Sequence, residues 1–200
     1  MKTLPSFLVI GMVTLGLAPR AAPIGISLQP SVTAINEGDS TSVDLVVSGL
    51  GNLAAPSLGA FDFDLSYDPA ILAVVSLAFG GFLDVGVFGS IPSSNLSTPG
   101  FIHLDEISLE ASSSLNGAQP DSFTLATLDF KGLTAGISSI GFSFASLSDE
   151  LGQSLTGFST AGASVQVNRS VSIPDSGSAF FLLLVGLSSL AGLRVAAAVR

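Results

Sequence analysis

Residues 60–67 read Ala-Phe-Asp-Phe-Asp-Leu-Ser-Tyr, an unbroken alternation of apolar and polar side chains. Phe61, Phe63, Leu65 and Tyr67 fall on one side of an extended chain, and Asp62, Asp64 and Ser66 on the other. A strand turns successive side chains to opposite faces, so this segment is stable where one face meets a core and the other meets water. A helix would scatter the same residues around its circumference. The pattern recurs. Thr41–Ser48 places Val43, Leu45 and Val47 together, and Ile137–Phe144 places Ile140, Phe142 and Phe144 together. Phe123–Phe130 alternates less cleanly, and Ala163–Val167 closes the series. Turn signals separate the runs: Glu37-Gly38-Asp39, Gly49–Asn52, Asp68-Pro69, Gly80-Gly81, Pro99-Gly100, Asn116-Gly117, Gly132, Gly136 and Gly152. No helix-period run of useful length stands between Pro23 and Asp175. Short strands joined by glycine-rich turns predict an all-β, antiparallel sandwich whose polar faces meet solvent.

The two ends follow other rules. Lys2, the apolar run Phe7–Leu17 and the small residues Ala18–Ala22 have the three-part layout of a secretory signal peptide, assigned here to residues 1–22. Ala179–Leu193 is a run of 15 residues without charge, followed by Arg194, five apolar residues and Arg200. Counted on to Val199 as a helix it reaches about 31 Å, enough to span a bilayer with Arg194 snorkelling to the interface. Residues 178–200 therefore read as a transmembrane helix, with Arg194 and Arg200 as its positive, membrane-stop end. The folded domain is expected over residues 23–172.

Composition narrows the chemistry. The chain has no Cys and 1 His, which removes disulfides, thiolate sites, a Cys nucleophile and any multi-histidine metal cluster. Its formal net charge is −9. Between Pro23 and Pro174 the only bases are Lys131 and Arg169 against fourteen acids, a net of −12. Such a domain repels a phosphate backbone, so nucleic acid is not an expected partner. Fourteen Phe and no Trp favour a core over a flat sugar-stacking platform, and the one Tyr, Tyr67, is placed inward by the alternation.

Two resemblances rest on particular residues. Ile173-Pro174-Asp175-Ser176-Gly177, then the apolar run, then terminal arginines, resembles the PEP-CTERM class of bacterial sorting tails in its VPDSG variant, with Ile173 in place of Val. The resemblance implies recognition of that motif by an exosortase-type membrane enzyme. The second lies in the domain. Glu37-Gly38-Asp39 with Val43–Ser48, then Gly59–Leu72 with its Tyr67-Asp68-Pro69 and Gly80–Leu83, then Thr124–Leu133, resembles the ordered strand motifs of cohesin domains. It implies a nine-stranded jelly roll, related to carbohydrate-binding modules, and a protein partner of the dockerin kind.

A catalytic set is not expected. His103 is the sole imidazole and reads as a surface or cross-strand polar residue, with Asp105 on its face. No Gly-x-Ser-x-Gly elbow occurs. Asp62, Asp64 and Asp68 could offer hard oxygen ligands to Ca²⁺, or a glycosidase pair, although the plainer reading is a solvated face with an Asp-Pro turn. Asp105, Glu106 and Glu110 read as solubilising charge along a strand edge. Recognition is expected from one sandwich face or from the stretches Gly81–Gly100 and Ala111–Asp121, read as long loops. The expected function is a non-catalytic binding or adhesion module of the cell envelope or extracellular matrix, associated with exopolysaccharide. The alternatives are a carbohydrate-binding module and a dockerin-type protein receptor.

Overall fold

A computed structural model describes residues 23–170. The signal-peptide segment, the Ile173–Gly177 motif and the apolar run with Arg194 and Arg200 lie outside the described residues. The elements in chain order are β1 (Gly25–Pro30), β2 (Ala34–Asn36), β3 (Ser40–Ser48), β4 (Leu58–Ser66), β5 (Leu72–Phe79), β6 (Ser90–Asn95), β7 (Phe101–Ser108), α1 (Ser112–Ala118), β8 (Ser122–Gly132), β9 (Gly136–Asp149), β10 (Ser159–Ala161) and β11 (Ala163–Asn168). They form two sheets, ordered β10-β1-β3-β8-β5 and β2-β11-β9-β4-β7-β6.

The sandwich is mixed rather than wholly antiparallel. β1 pairs with β10 and β11 with β2 in parallel. Both β2 and β10 are three-residue strands at sheet edges. Without them, nine longer strands remain, all paired antiparallel. Short edges offer little template for pairing with another chain.

The core fills the space between the sheets. Val43, Leu45 and Val47 from β3, Phe61, Phe63 and Leu65 from β4, Ile102 and Leu104 from β7, and Leu128 and Phe130 from β8 are all buried. Each such side chain contributes about 1.5–3 kcal/mol of burial. Phe63 meets Phe142 edge-on at 5.6 Å, and Tyr67 meets Phe130 in the same way at 5.3 Å. Tyr67 therefore faces inward, as the alternation requires.

Bulges explain where the alternation misleads. The β3–β8 register slips between Leu45 and Val46, whose partners are Ala126 and Thr124. Leu125 is the extra residue, so Leu125 and Ala126 are both buried. In β9 the register slips between Asp64 and Leu65, whose partners are Phe144 and Phe142. Ser143 is extra there, and the slip turns Phe144 outward, 48% exposed, against the expectation that it shares the core face of Phe142.

The stretches expected as loops are partly regular. Residues 90–95 of the first are β6, which caps the edge of the six-stranded sheet. The second contains α1, so Asn116-Gly117 lies within a helix rather than at a turn. This helix forms because Leu115 is buried and Gln119, at its end, is fully buried. The Gln119 amide accepts from Leu58 N at 2.7 Å and donates to Leu58 O at 2.8 Å and Phe82 O at 2.9 Å. It thus satisfies both backbone groups of Leu58 at the start of β4 and the carbonyl of Phe82 after β5.

Candidate functional site

The outer face of β9-β4-β7-β6 gathers the polar groups singled out in the sequence. Asp62 and Asp64 are two apart on β4 and share that face. The β4–β7 register sets Asp64 opposite His103 and Asp62 opposite Asp105. These four residues form a two-by-two patch. On one flank Asp64 pairs with Phe144 and Asp62 with Ser146 of β9. On the other, Asn95 lies opposite His103 and Ser93 opposite Asp105. The row above is apolar, with Ile91 opposite Ile107 and Ile107 opposite Ala60.

His103 is the hub. Its Nδ1 lies 2.8 Å from Asp64 Oδ1 and 3.7 Å from Asp62 Oδ1, and its Nε2 lies 3.2 Å from Asp105 Oδ1. The hydrogen bond to Asp64 raises the imidazole pKa above its ordinary value; partial burial opposes this, and the charges of Asp62, Asp64 and Asp105 add to the rise. Oδ1 of Asp62 is shielded from solvent and has no hydrogen-bond partner. Among the described residues no serine hydroxyl bonds the imidazole, the contact a Ser-His-Asp triad needs.

Asp68 does not join this group. It sits beyond the end of β4, where its Oδ1 accepts from Ala70 N at 2.9 Å in an Asp-Pro turn. The donor atoms that come together belong to Asp62, Asp64 and His103. The histidine was legible as a cross-strand residue, but nothing local in the sequence pairs it with two aspartates 39 and 41 residues away.

The acidic run after His103 divides. Asp105 is on the outer face. Glu106 and Glu110 are buried, contrary to their reading as solubilising edge charge. β7 is no edge, because β6 covers it. Glu106 occupies the inward row with Ile102 and Leu104, and its Oε1 accepts from Ser90 Oγ at 2.6 Å. Burial pushes its carboxyl up; the Ser90 hydroxyl opposes this, and Asp84 adds to it. Glu110 Oε1 accepts from Phe88 N and Gly89 N, both at 2.8 Å, and so holds the loop before β6. Its role is structural.

The other outer face differs in kind. On β3, β8 and β5, Asp129 accepts from Ser42 Oγ and Ser76 Oγ, each at 2.7 Å, and Asp44 accepts from Thr127 Oγ1 at 2.6 Å. Those polar groups satisfy one another. The six-stranded face instead leaves Ile91 55%, Ile107 51% and Phe144 48% exposed around its charged patch. A shallow open depression lies beside Ile107, lined also by Ala60, Asp62, Asp105, Ser146 and Ser148.

This two-sheet sandwich is similar in fold to solved cohesin domains. A type II cohesin from the cellulosome of Acetivibrio cellulolyticus is similar over 72% of this chain and 95% of its own, with 19% identity and a TM-score of 0.61. The cohesin–dockerin complex Coh-OlpA-Doc918 of Clostridium thermocellum matches over 74% and 100%, at 17% identity and a TM-score of 0.58. A non-cellulosomal cohesin from the archaeon Archaeoglobus fulgidus matches over 74% and 92%, at 16% identity and 0.56. No protein-family model matches the sequence, and no curated protein does.

Proposed function

We propose that this chain is an exported, non-catalytic protein receptor that takes its partner against the outer face of β9-β4-β7-β6. The observation that carries this reading is the half-exposed apolar set Ile91, Ile107 and Phe144 around Asp62, Asp64, His103 and Asp105. Exposed apolar residues set beside charged ones are the composition of a recognition surface. The opposite face, with its carboxylates already bonded, offers no such arrangement. Cohesins similar to it in fold have been crystallised with dockerins, which supports a small protein module as the partner. The acidic patch favours a partner that brings a basic side chain beside apolar ones.

Delivery rests on the sequence. The leader at residues 1–22 would export the chain, and the Ile173–Gly177 motif with its apolar run would present it to an exosortase-type enzyme at the membrane. Placement in an exopolysaccharide matrix follows from that sorting reading.

The test of the receptor is a binding screen of the full chain against dockerin-like modules from the same organism. A partner that binds the native chain and loses at least about tenfold affinity with Ile107→Lys or Phe144→Glu supports the reading. Binding unchanged by both substitutions, or selective binding of oligosaccharide in their place, refutes it. Intact mass of the protein from its host tests delivery: cleavage near residues 18–22 and near the Ile173–Gly177 motif is expected.

A further inference from the structure

We propose that Asp62, Asp64 and His103 bind a divalent transition ion of the zinc class, with Asp105 orienting the imidazole from behind. The three candidate donor atoms, one from each residue, all lie within 4.8 Å of one another. Nδ1 of His103 stands 2.8 Å from Asp64 Oδ1 and 3.7 Å from Asp62 Oδ1. Tetrahedral zinc with bonds of about 2.0–2.2 Å sets its ligand atoms about 3.3 Å apart. The two spacings to the imidazole bracket that value, and the two carboxylate oxygens lie within 4.8 Å of each other, so side-chain rotation of the two aspartates would close the site. All three stand on the paired strands β4 and β7, a rigid support for ligand geometry.

Two further features set this patch apart from an ordinary acidic face. The first is Asp62 Oδ1, shielded from solvent and without a hydrogen-bond partner although the side chain as a whole is 47% exposed. Its polar neighbour, His103 Nδ1 at 3.7 Å, is beyond hydrogen-bond distance, and an ion between the two would pair both. The second is Asp105, whose Oδ1 faces the other ring nitrogen at 3.2 Å. Histidines that ligate through one nitrogen characteristically present the other to a carboxylate, which fixes the tautomer and the ring plane.

The donor set selects the ion. Calcium and magnesium take oxygen ligands, and an imidazole is a poor substitute. Imidazole with carboxylates suits Zn²⁺ and its first-row neighbours. Three protein donors leave a fourth position on the solvent side, for water or for a donor from a docked molecule. The site stands on its own geometry, independent of the receptor reading.

The experiment uses the full chain in metal-free buffer. Zn²⁺ is titrated against a chromophoric chelator, and Co²⁺ is followed by its visible absorption. One equivalent is expected to bind. His103→Gln should weaken it by at least about a hundredfold, and the isosteric Asp62→Asn and the orienting Asp105→Asn by about 10–100-fold. Asp68→Asn should leave it unchanged. Because His103 is the sole histidine, a long-range ¹H–¹⁵N spectrum contains one imidazole, and Zn²⁺ should shift Nδ1 while Nε2 stays protonated. Unchanged amide spectra and melting temperatures without metal would show that the variants are folded, so a lost affinity is local. The proposal is overturned by no binding to the native chain, by affinity that survives His103→Gln, by displacement with equimolar Ca²⁺, or by metallation at Nε2.

Discussion

Glu106→Gln is expected to stabilise the domain at pH 8 and to change little at pH 4. Glu106 is 2% exposed on the core side of β7. One oxygen accepts from Ser90 Oγ, and Oε2 has no partner. Burial is the main cause that raises its pKa, with Asp84 adding to it and the Ser90 hydroxyl opposing. A carboxyl whose folded pKa lies above its unfolded value holds more protons in the folded state. Its contribution is fully present below the unfolded pKa and is lost as pH rises through the folded one. Above that point the native chain carries a buried, half-bonded charge. Glutamine keeps an acceptor for Ser90 and carries no charge, although its amide nitrogen takes the same unpaired position. The gain at pH 8 therefore comes from removing the buried charge; at about 1–2 kcal/mol it is roughly 2–8 °C in Tm for a domain of this size. Urea unfolding of both chains at pH 4, 6 and 8, with unchanged m-values, reads it directly. A variant that is less stable at pH 8 than the native chain, or that keeps the native pH slope, would refute the account of Glu106.

Other substitutions probe other parts of the argument. Gln119→Ala strips partners from Leu58 N, Leu58 O and Phe82 O, and should cost about 3 kcal/mol in a denaturant titration. Phe63→Ala opens a cavity in the fully buried centre and should cost about 3–5 kcal/mol by the same assay. Gly59→Ala drives a methyl group into the carbonyl of Asp149 at the β4 bulge, and a sharp fall in Tm is expected. Phe144→Ala should move stability by no more than about 0.5 kcal/mol, because the side chain is half exposed; a larger loss by calorimetry would place Phe144 in the core after all.

Much of the fold was legible because period two is a local signal. β3, β4, β8 and β11 fall close to the segments where alternation was seen. The turns at Gly38, Gly49, Gly100 and Gly152 hold φ values of +92°, +80°, +83° and +75°, which glycine adopts at little cost. β6 was read as loop because Ser90–Asn95 is polar and mostly exposed, so an edge strand of this kind has no alternation to detect. α1 is too short to show a period, and what holds it is Leu115 and Gln119 docking onto the sandwich.

The site divides along the same line. That Asp62 and Asp64 share a face opposite Phe61 and Phe63 follows from the chain alone, since it depends only on the direction of successive side chains. That His103 stands against both aspartates depends on which strand β4 chooses and in what register, a choice made by the whole core packing at once. One inserted residue, Ser143, turns Phe144 from core to surface, and the covering of β7 by β6 sinks Glu106. Alternation assigns a residue to a side of its own strand; only the assembled sheets decide which side is wet, and which residues from distant strands meet there.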